Sequence, residues 1–368
     1  MCLLFSLYAM FPPIPYGYAT TPDNVVVIAV ELSDAPHVRE IRDLRVLFDA
    51  LKSYYLEASY GTYSVDFTIF GWYKSDRITA SYGRDSQICI DDPPGDGSPD
   101  TWHLVQDAID LTGTDIDFSH YKYLIVVHSG SGEECTGISD DIWSCAYLFG
   151  VWFRTKQCSF SQAAIVPETQ VRGGNPIGVY VHEFGHLLGF PDLYSINEQL
   201  GPWDVMGRGT WRGYPVGAIP ALFCAWSRIY LGWLNSTHIH TFSGRLDVVE
   251  LSPLAVNSAE VKAIKIPLKD STNYYLIEYR IKVGFDSALP ESGILITRIG
   301  ASDPRVVAVR YLDRSLDKAL WPSGSIFSDP NENLFVGMCL TSSGKMEIVI
   351  NIGSIPPIFT SPISIHNP

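Results

Sequence analysis

Apolar and polar positions change period several times along this chain, and each change marks an element. Val25-Val26-Val27-Ile28-Ala29-Val30 is an unbroken apolar run, which suits a strand buried on both faces. From about 37 to 58 the spacing becomes helical: Ile41, Leu44, Leu47, Phe48, Leu51, Tyr54 and Tyr55 share one face, and Gly61 ends the helix. Tyr63 to Trp72 alternates in part and predicts a strand. Helical spacing returns from Thr101 to Leu111, and Tyr123 to Val127 predicts a second buried strand. Ile177 to Val181, followed by Leu187, Leu188 and Phe190, predicts a buried helix. Strand, helix, strand, helix, strand, helix is an α/β layout.

After about residue 236 the texture changes. Short apolar runs at Val261–Ile266, Tyr274–Tyr279, Ile294–Ile296 and Met346–Ile352 are separated by Gly, Pro, Ser and Asp. Helix signals are scarce there, so a small β-sandwich or β-rich unit is expected. The expected division is a leader over 1–23, an α/β unit over 24–235, the β-rich unit over 236–355 and a loose tail over 356–368.

Composition narrows the class. A chain of 368 residues, 46% hydrophobic and 18% charged, is globular and long enough for about two domains. A net charge of −14 argues against nucleic-acid binding, which needs basic patches. No apolar run reaches the roughly 20 residues of a membrane helix. Met1 to Phe11 is short and apolar, with small residues at Gly17-Tyr18-Ala19, but it lacks a basic start. It reads as a signal-peptide core or an ordinary N-terminal segment. Seven Cys occur without a C-x-x-C pair, which excludes a cysteine-based zinc site of that pattern. One disulfide among Cys135, Cys145 and Cys158 is expected in an oxidising compartment, with Cys224 and Cys339 as buried thiols.

The chemistry is concentrated in the buried helix, at His182-Glu183-Phe184-Gly185-His186-Leu187-Leu188-Gly189-Phe190-Pro191-Asp192. Two His at i and i+4 share a helix face, so both imidazoles can bind one Zn²⁺. Glu183 then lies beside the metal's open side, as a general base for water. Gly189 turns the chain and leaves Asp192 as the third ligand. A surface helix with solvated His and Glu is the plain alternative, but the apolar flanks argue against it, because burying these groups unpaired is costly. Downstream, Trp203-Asp204-Val205-Met206-Gly207 supplies a Met-containing turn. A zinc helix followed by such a turn marks the metzincin class of zinc peptidases, with Met206 as an apolar floor below the metal. Asp204 would fix or cap that turn. Tyr214 is a candidate oxyanion partner on position alone, and Tyr194 is no better supported. The run Asp91-Asp92-Pro93-Pro94-Gly95-Asp96-Gly97, continuing to Asp100, clusters oxygens that suit Ca²⁺. Its spacing matches no EF-hand, and a solvated turn is the preferred reading.

These motifs together resemble the immune-inhibitor-A-like secreted zinc metallopeptidases, a metzincin-like family with Asp where others carry a third His. Asp192 fits that variant. The resemblance extends to Tyr54–Gly61, Asp140–Ser144, Ala225–Trp233, Tyr275–Arg280, Gly284–Asp286 and Gly293–Ile296, spanning roughly 24 to 300. Relatives often carry an Asp- and Gly-rich, calcium-like run where this chain reads Phe118-Ser119-His120-Tyr121-Lys122-Tyr123, so no calcium site is expected there. The resemblance implies a secreted zinc endopeptidase acting on protein or peptide substrates as a monomer. A catalytically inactive protease fold that binds a partner is the alternative; the intact Glu183 argues against it. A thermolysin-type site is disfavoured, since no helix with a Glu-x-x-x-Asp pattern follows.

Overall fold

The computed structural model describes residues 21–353, except 88, 93–100, 149–150, 171–173, 195–198, 271 and 301–305. The expected leader, apart from its last three residues, and the loose tail lie outside the described residues. The chain opens with β1 (Asp23–Glu31), α1 (Ile41–Ala58), β2 (Val65–Lys74), α2 (Ala80–Gly83), α3 (Trp102–Thr112) and β3 (Tyr123–Ser131). Next come α4 (Glu133–Thr136), β4 (Cys145–Tyr147), β5 (Phe153–Arg154), β6 (Ser159–Phe160), β7 (Ala163–Thr169), α5 (Ile177–Leu187) and α6 (Ala225–Tyr230). The later part is built of β8 (Ile239–Thr241), β9 (Leu246–Leu251), β10 (Ala263–Pro267), β11 (Tyr274–Arg280), β12 (Gly293–Ile299), β13 (Val306–Ala308), β14 (Ile326–Asp329), β15 (Leu334–Leu340) and β16 (Met346–Ile352).

The first sheet has the order β2-β1-β3-β7-β4. Its first four strands are parallel and β4 closes the edge antiparallel. The expected order of alternating strands and helices is corrected here, because β4 to β7 intervene between β3 and α5. β7 is hidden in the sequence by Pro167, which cannot donate to a ladder. Pro167 is tolerated because β4 pairs only with Ala163 to Ile165 and leaves the far end of β7 free on that side. One face of this sheet is covered by α1 and α5. Tyr54 and Tyr55 of α1 are fully buried, and the Tyr55 hydroxyl donates to Val181 O of α5 at 2.7 Å. The other face packs on α3 through Leu104, Val105 and Ala108.

Two further sheets follow, β13-β12-β11-β10-β8 and β14-β15-β16-β9. Alternate residues of β11 divide between two apolar clusters. Tyr275, Ile277 and Tyr279 join Val336, Ile348 and Ile350 of the third sheet. Leu276 joins the core of the first half, along with Leu254, Leu295 and Leu320. The packing therefore runs without a gap across residue 235. All six Cys that are described are free thiols, so the expected disulfide among Cys135, Cys145 and Cys158 is absent, and Cys339 is exposed instead of buried.

A buried polar cluster ties the halves together. Arg280 donates to Asp286 at 2.7 and 3.0 Å, to Glu278 at 3.0 Å and to the carbonyls of Trp203 at 2.5 Å and Leu222 at 3.2 Å. Asp286 in turn accepts from Leu222 N, and Glu278 from Ala225 N. All three side chains are buried, and removing one partner leaves an uncompensated charge. Arg280→Met should therefore lower the unfolding free energy by about 3–5 kcal/mol, read from urea denaturation; a loss below about 1 kcal/mol would show that the cluster does not stabilise the fold as described.

Candidate metal centre

The α5 helix carries His182, Glu183 and His186 into the protein, since the apolar residues around them pack against the first sheet. Leu188 caps the helix, and Gly189 at φ 98° turns the chain where a side chain would be strained. Its N–H closes on His186 O and that of Phe190 on Gly185 O, at 2.8 and 3.2 Å. The turn returns Asp192 to the helix face. His182 Nε2 and His186 Nε2 lie 3.1 and 3.3 Å from the same oxygen, Asp192 Oδ1. All three predicted ligand residues are thus brought together.

The opposite ring nitrogens fix the polarity. His182 Nδ1 is 2.9 Å from Val205 O, and His186 Nδ1 is 2.7 Å from Phe190 O. A carbonyl only accepts, so both Nδ1 atoms carry the proton. Both Nε2 lone pairs then point at a carboxylate. Protonating each imidazole would satisfy that contact, but it would place two cations with ring centroids 4.8 Å apart. A single divalent cation meets the same arrangement with both imidazoles neutral, and N₂O donor chemistry suits Zn²⁺. The electrostatics call for positive charge at the same place. Burial opposes charge on both imidazoles, yet Asp192 outweighs it and lifts His182 to about 9 and His186 above its usual value. Burial also works to raise Asp192, but the two imidazoles hold it below the carboxylate range.

Glu183 faces the same space. Its carboxyl is buried and pushed up to about 7, first by desolvation. Its Oε2 is a buried atom without a hydrogen-bond partner, which is a feature that calls for an explanation beyond folding.

Met206 is fully buried beneath α5. A Cβ built on Gly185 would lie 2.7 Å from Met206 Sδ, so the helix and the Met turn approach this closely only because residue 185 lacks a side chain. Asp204 holds the turn from within: Oδ1 accepts from Met206 N at 2.8 Å, and Oδ2 from Cys224 N and Ser227 Oγ at 2.7 Å each. The Thr210 hydroxyl donates to Val205 O at 2.5 Å and lies 3.3 Å from His182 Nδ1. Sequence reading missed Gly185 and Thr210. A small residue between the two His was the available signal for the first.

Two tyrosines differ in their placement after the helix. Tyr214, after the Met206 turn, is 94% exposed. The ring placed at the site is that of Tyr194, stacked on His182 with centroids 6.0 Å apart, whose hydroxyl also interacts with Asp192. A correction concerns the acidic run. Asp91 and Asp92 are buried rather than solvated, while 93–100 lie outside the described residues.

Comparisons with known proteins place the chain in a family. Residues 43–123 and 116–235 match the family described as "Immune inhibitor A peptidase M6, catalytic domain", so the match spans more than half of the chain. Immune inhibitor A of Bacillus thuringiensis subsp. alesti is 30% identical over 218 residues, 48% of this chain and 30% of the relative. Pre-pro-metalloprotease PrtV of Vibrio cholerae serotype O1, in two strains, is 25% identical over 264 residues, 61% of this chain and 27% of the relative. The chain thus spans less than a third of the length of these relatives. With its match lying across α5 and the turn at Met206, this chain belongs to the immune inhibitor A peptidase M6 family, a family of metallopeptidases.

Proposed function

We propose that this chain is a zinc-dependent endopeptidase of metzincin type, secreted and acting on protein or peptide substrates. One observation carries the reading: two imidazole lone pairs and a carboxylate oxygen converge beside the unpartnered, buried Glu183 Oε2. Membership of a metallopeptidase family supports it. Among the described residues no helix is long and apolar enough to cross a membrane.

His182, His186 and Asp192 would hold the metal. A zinc ion so held supplies Lewis acidity toward the scissile carbonyl and lowers the pKa of water at its open position. The chain's own groups do the rest. Glu183 accepts a proton from the attacking water and delivers it to the leaving amine, so the base becomes the acid within one turnover. Burial, which favours its neutral form, suits the half of that task in which it carries the proton. The carbonyls of Val205 and Phe190 keep the imidazoles in the tautomer that a metal requires. Tyr194 is better placed than Tyr214 to touch bound substrate, as it stands half-exposed against His182.

Glu183→Ala should reduce kcat on casein by at least about 10²–10⁴-fold while zinc stays near one equivalent by atomic absorption. Cleavage at the wild-type rate would overturn the mechanism. For Asp192→Ala the expected result is different: zinc content falls along with activity. A full equivalent of retained metal would point to another third ligand.

A further inference from the structure

One peptide plane beside the candidate centre is gripped by side chains at both ends. Its N–H is that of Met206, which donates to Asp204 Oδ1 at 2.8 Å. Its carbonyl is that of Val205, which takes two donors: His182 Nδ1 at 2.9 Å and the Thr210 hydroxyl at 2.5 Å. A carbonyl oxygen has two lone pairs, so both are taken here. The same hydroxyl oxygen lies 3.3 Å from His182 Nδ1. The imidazole N–H thus faces two oxygens that are hydrogen-bonded to each other. We propose that Thr210 is a positioning residue for His182. Its hydroxyl aims the Val205 carbonyl, and so fixes which ring nitrogen turns toward the metal. The inference rests on the zinc reading given above.

The hydroxyl acts from a fixed base. Thr210 is 4% exposed and stands in the short turn Arg208–Trp211. A Cβ built on Gly178 would lie 2.0 Å from Thr210 O, so this turn lies against the start of α5 only because residue 178 lacks a side chain. On the preceding residue, Gly209 N donates to Asp204 O, and Gly209 O accepts from Ala221 N, both at 3.0 Å. Thr210 Oγ1 also lies 3.2 Å from Gly207 O. A hydroxyl has one proton, and the shorter contact to Val205 O takes it. A lone pair of Oγ1 is then left for the imidazole N–H.

The two imidazoles are held differently. His186 Nδ1 meets Phe190 O at 2.7 Å, a carbonyl whose peptide runs into Pro191 and has no N–H to be held by. Its direction is left to the turn after Gly189. The Val205–Met206 peptide is instead steered from both ends, by Thr210 and by Asp204. Without the hydroxyl, one lone pair of Val205 O loses its donor and the plane is free to tilt, with His182 following it. Groups that orient a ligating imidazole from behind act on metal affinity. A threonine that only stabilised the turn would act on melting instead.

Zinc dissociation constants, measured on the whole chain by competition with a chromophoric chelator, separate the two roles. Thr210→Val keeps the β-branched shape and removes the hydroxyl; it should bind zinc about 10–100-fold more weakly than wild type. Thr210→Ser keeps the hydroxyl and should restore wild-type affinity. Should Thr210→Val fail to fold, Thr210→Ala decides by the same constant. An unchanged constant in the variant without a hydroxyl would overturn the proposal, even where its metal-free form melts lower. Weakened binding in Thr210→Ser to the level of Thr210→Val would overturn it as well. A wild type that holds no zinc would sink the zinc reading and this inference together. Tight zinc in wild type with an unchanged constant in Thr210→Val would sink the role of Thr210 alone.

Discussion

Everything around α5 is arranged by one constraint: two imidazole Nε2 atoms share a single carboxylate oxygen, at 3.1 and 3.3 Å. That contact is repulsive unless a positive charge enters it. The surroundings allow no escape by ring rotation, since each Nδ1 is committed to a backbone carbonyl. Those carbonyls come from the Met turn and from the turn after Gly189. Two loops thereby set the tautomers, and the helix sets the spacing. The i, i+4 pattern is necessary for such a centre, but the loops determine which nitrogen faces inward.

The loops are themselves held from further away. Asp204 accepts from Met206 N and from the start of α6, so one buried carboxylate joins the Met206 turn to the next helix. Arg280 on β11 then grips Trp203 O and Leu222 O, on either side of that stretch. The β-rich half is thus a structural support of the Met turn. This explains why the apolar core is continuous across residue 235. It also explains why charged residues occupy a position as buried as Arg280, where apolar packing alone would leave the carbonyls of the turn unpaired.

Much of the fold was legible where a single period ran long enough. β1, α1, α3 and β16 fall within a few residues of the expected positions, because each buries one full face or both. Local pattern failed where tertiary pairing decides. β4 has three residues and takes its conformation from Ala163–Ile165, and β7 is interrupted by Pro167. The candidate centre was almost fully readable, since helix geometry fixes His182, Glu183 and His186 and a glycine turn brings back Asp192. The chain position of Tyr214 after the Met206 turn says nothing about direction, and its side chain is exposed. Asp91 misled for a related reason: a run of turn-forming acids looks solvated unless the partner segments, here Glu133 and Trp143, are known.

The chain's net charge of −14 also gains a local meaning. Part of the acidic excess is gathered in two sets with different donors, one of His182, His186 and Asp192 and one of Asp85, Asp91 and Glu133. One set contains two nitrogens and one oxygen, and the other contains oxygens alone. Both sets lie on elements that adjoin β4, one on α5 and one at the segment leading into the strand. An edge strand of three residues has little pairing energy of its own, because only Cys145–Tyr147 contribute to the ladder. Its position must therefore come from the packed helix on one side and from the bridge of Gly132 to Ile142, just before the strand, on the other.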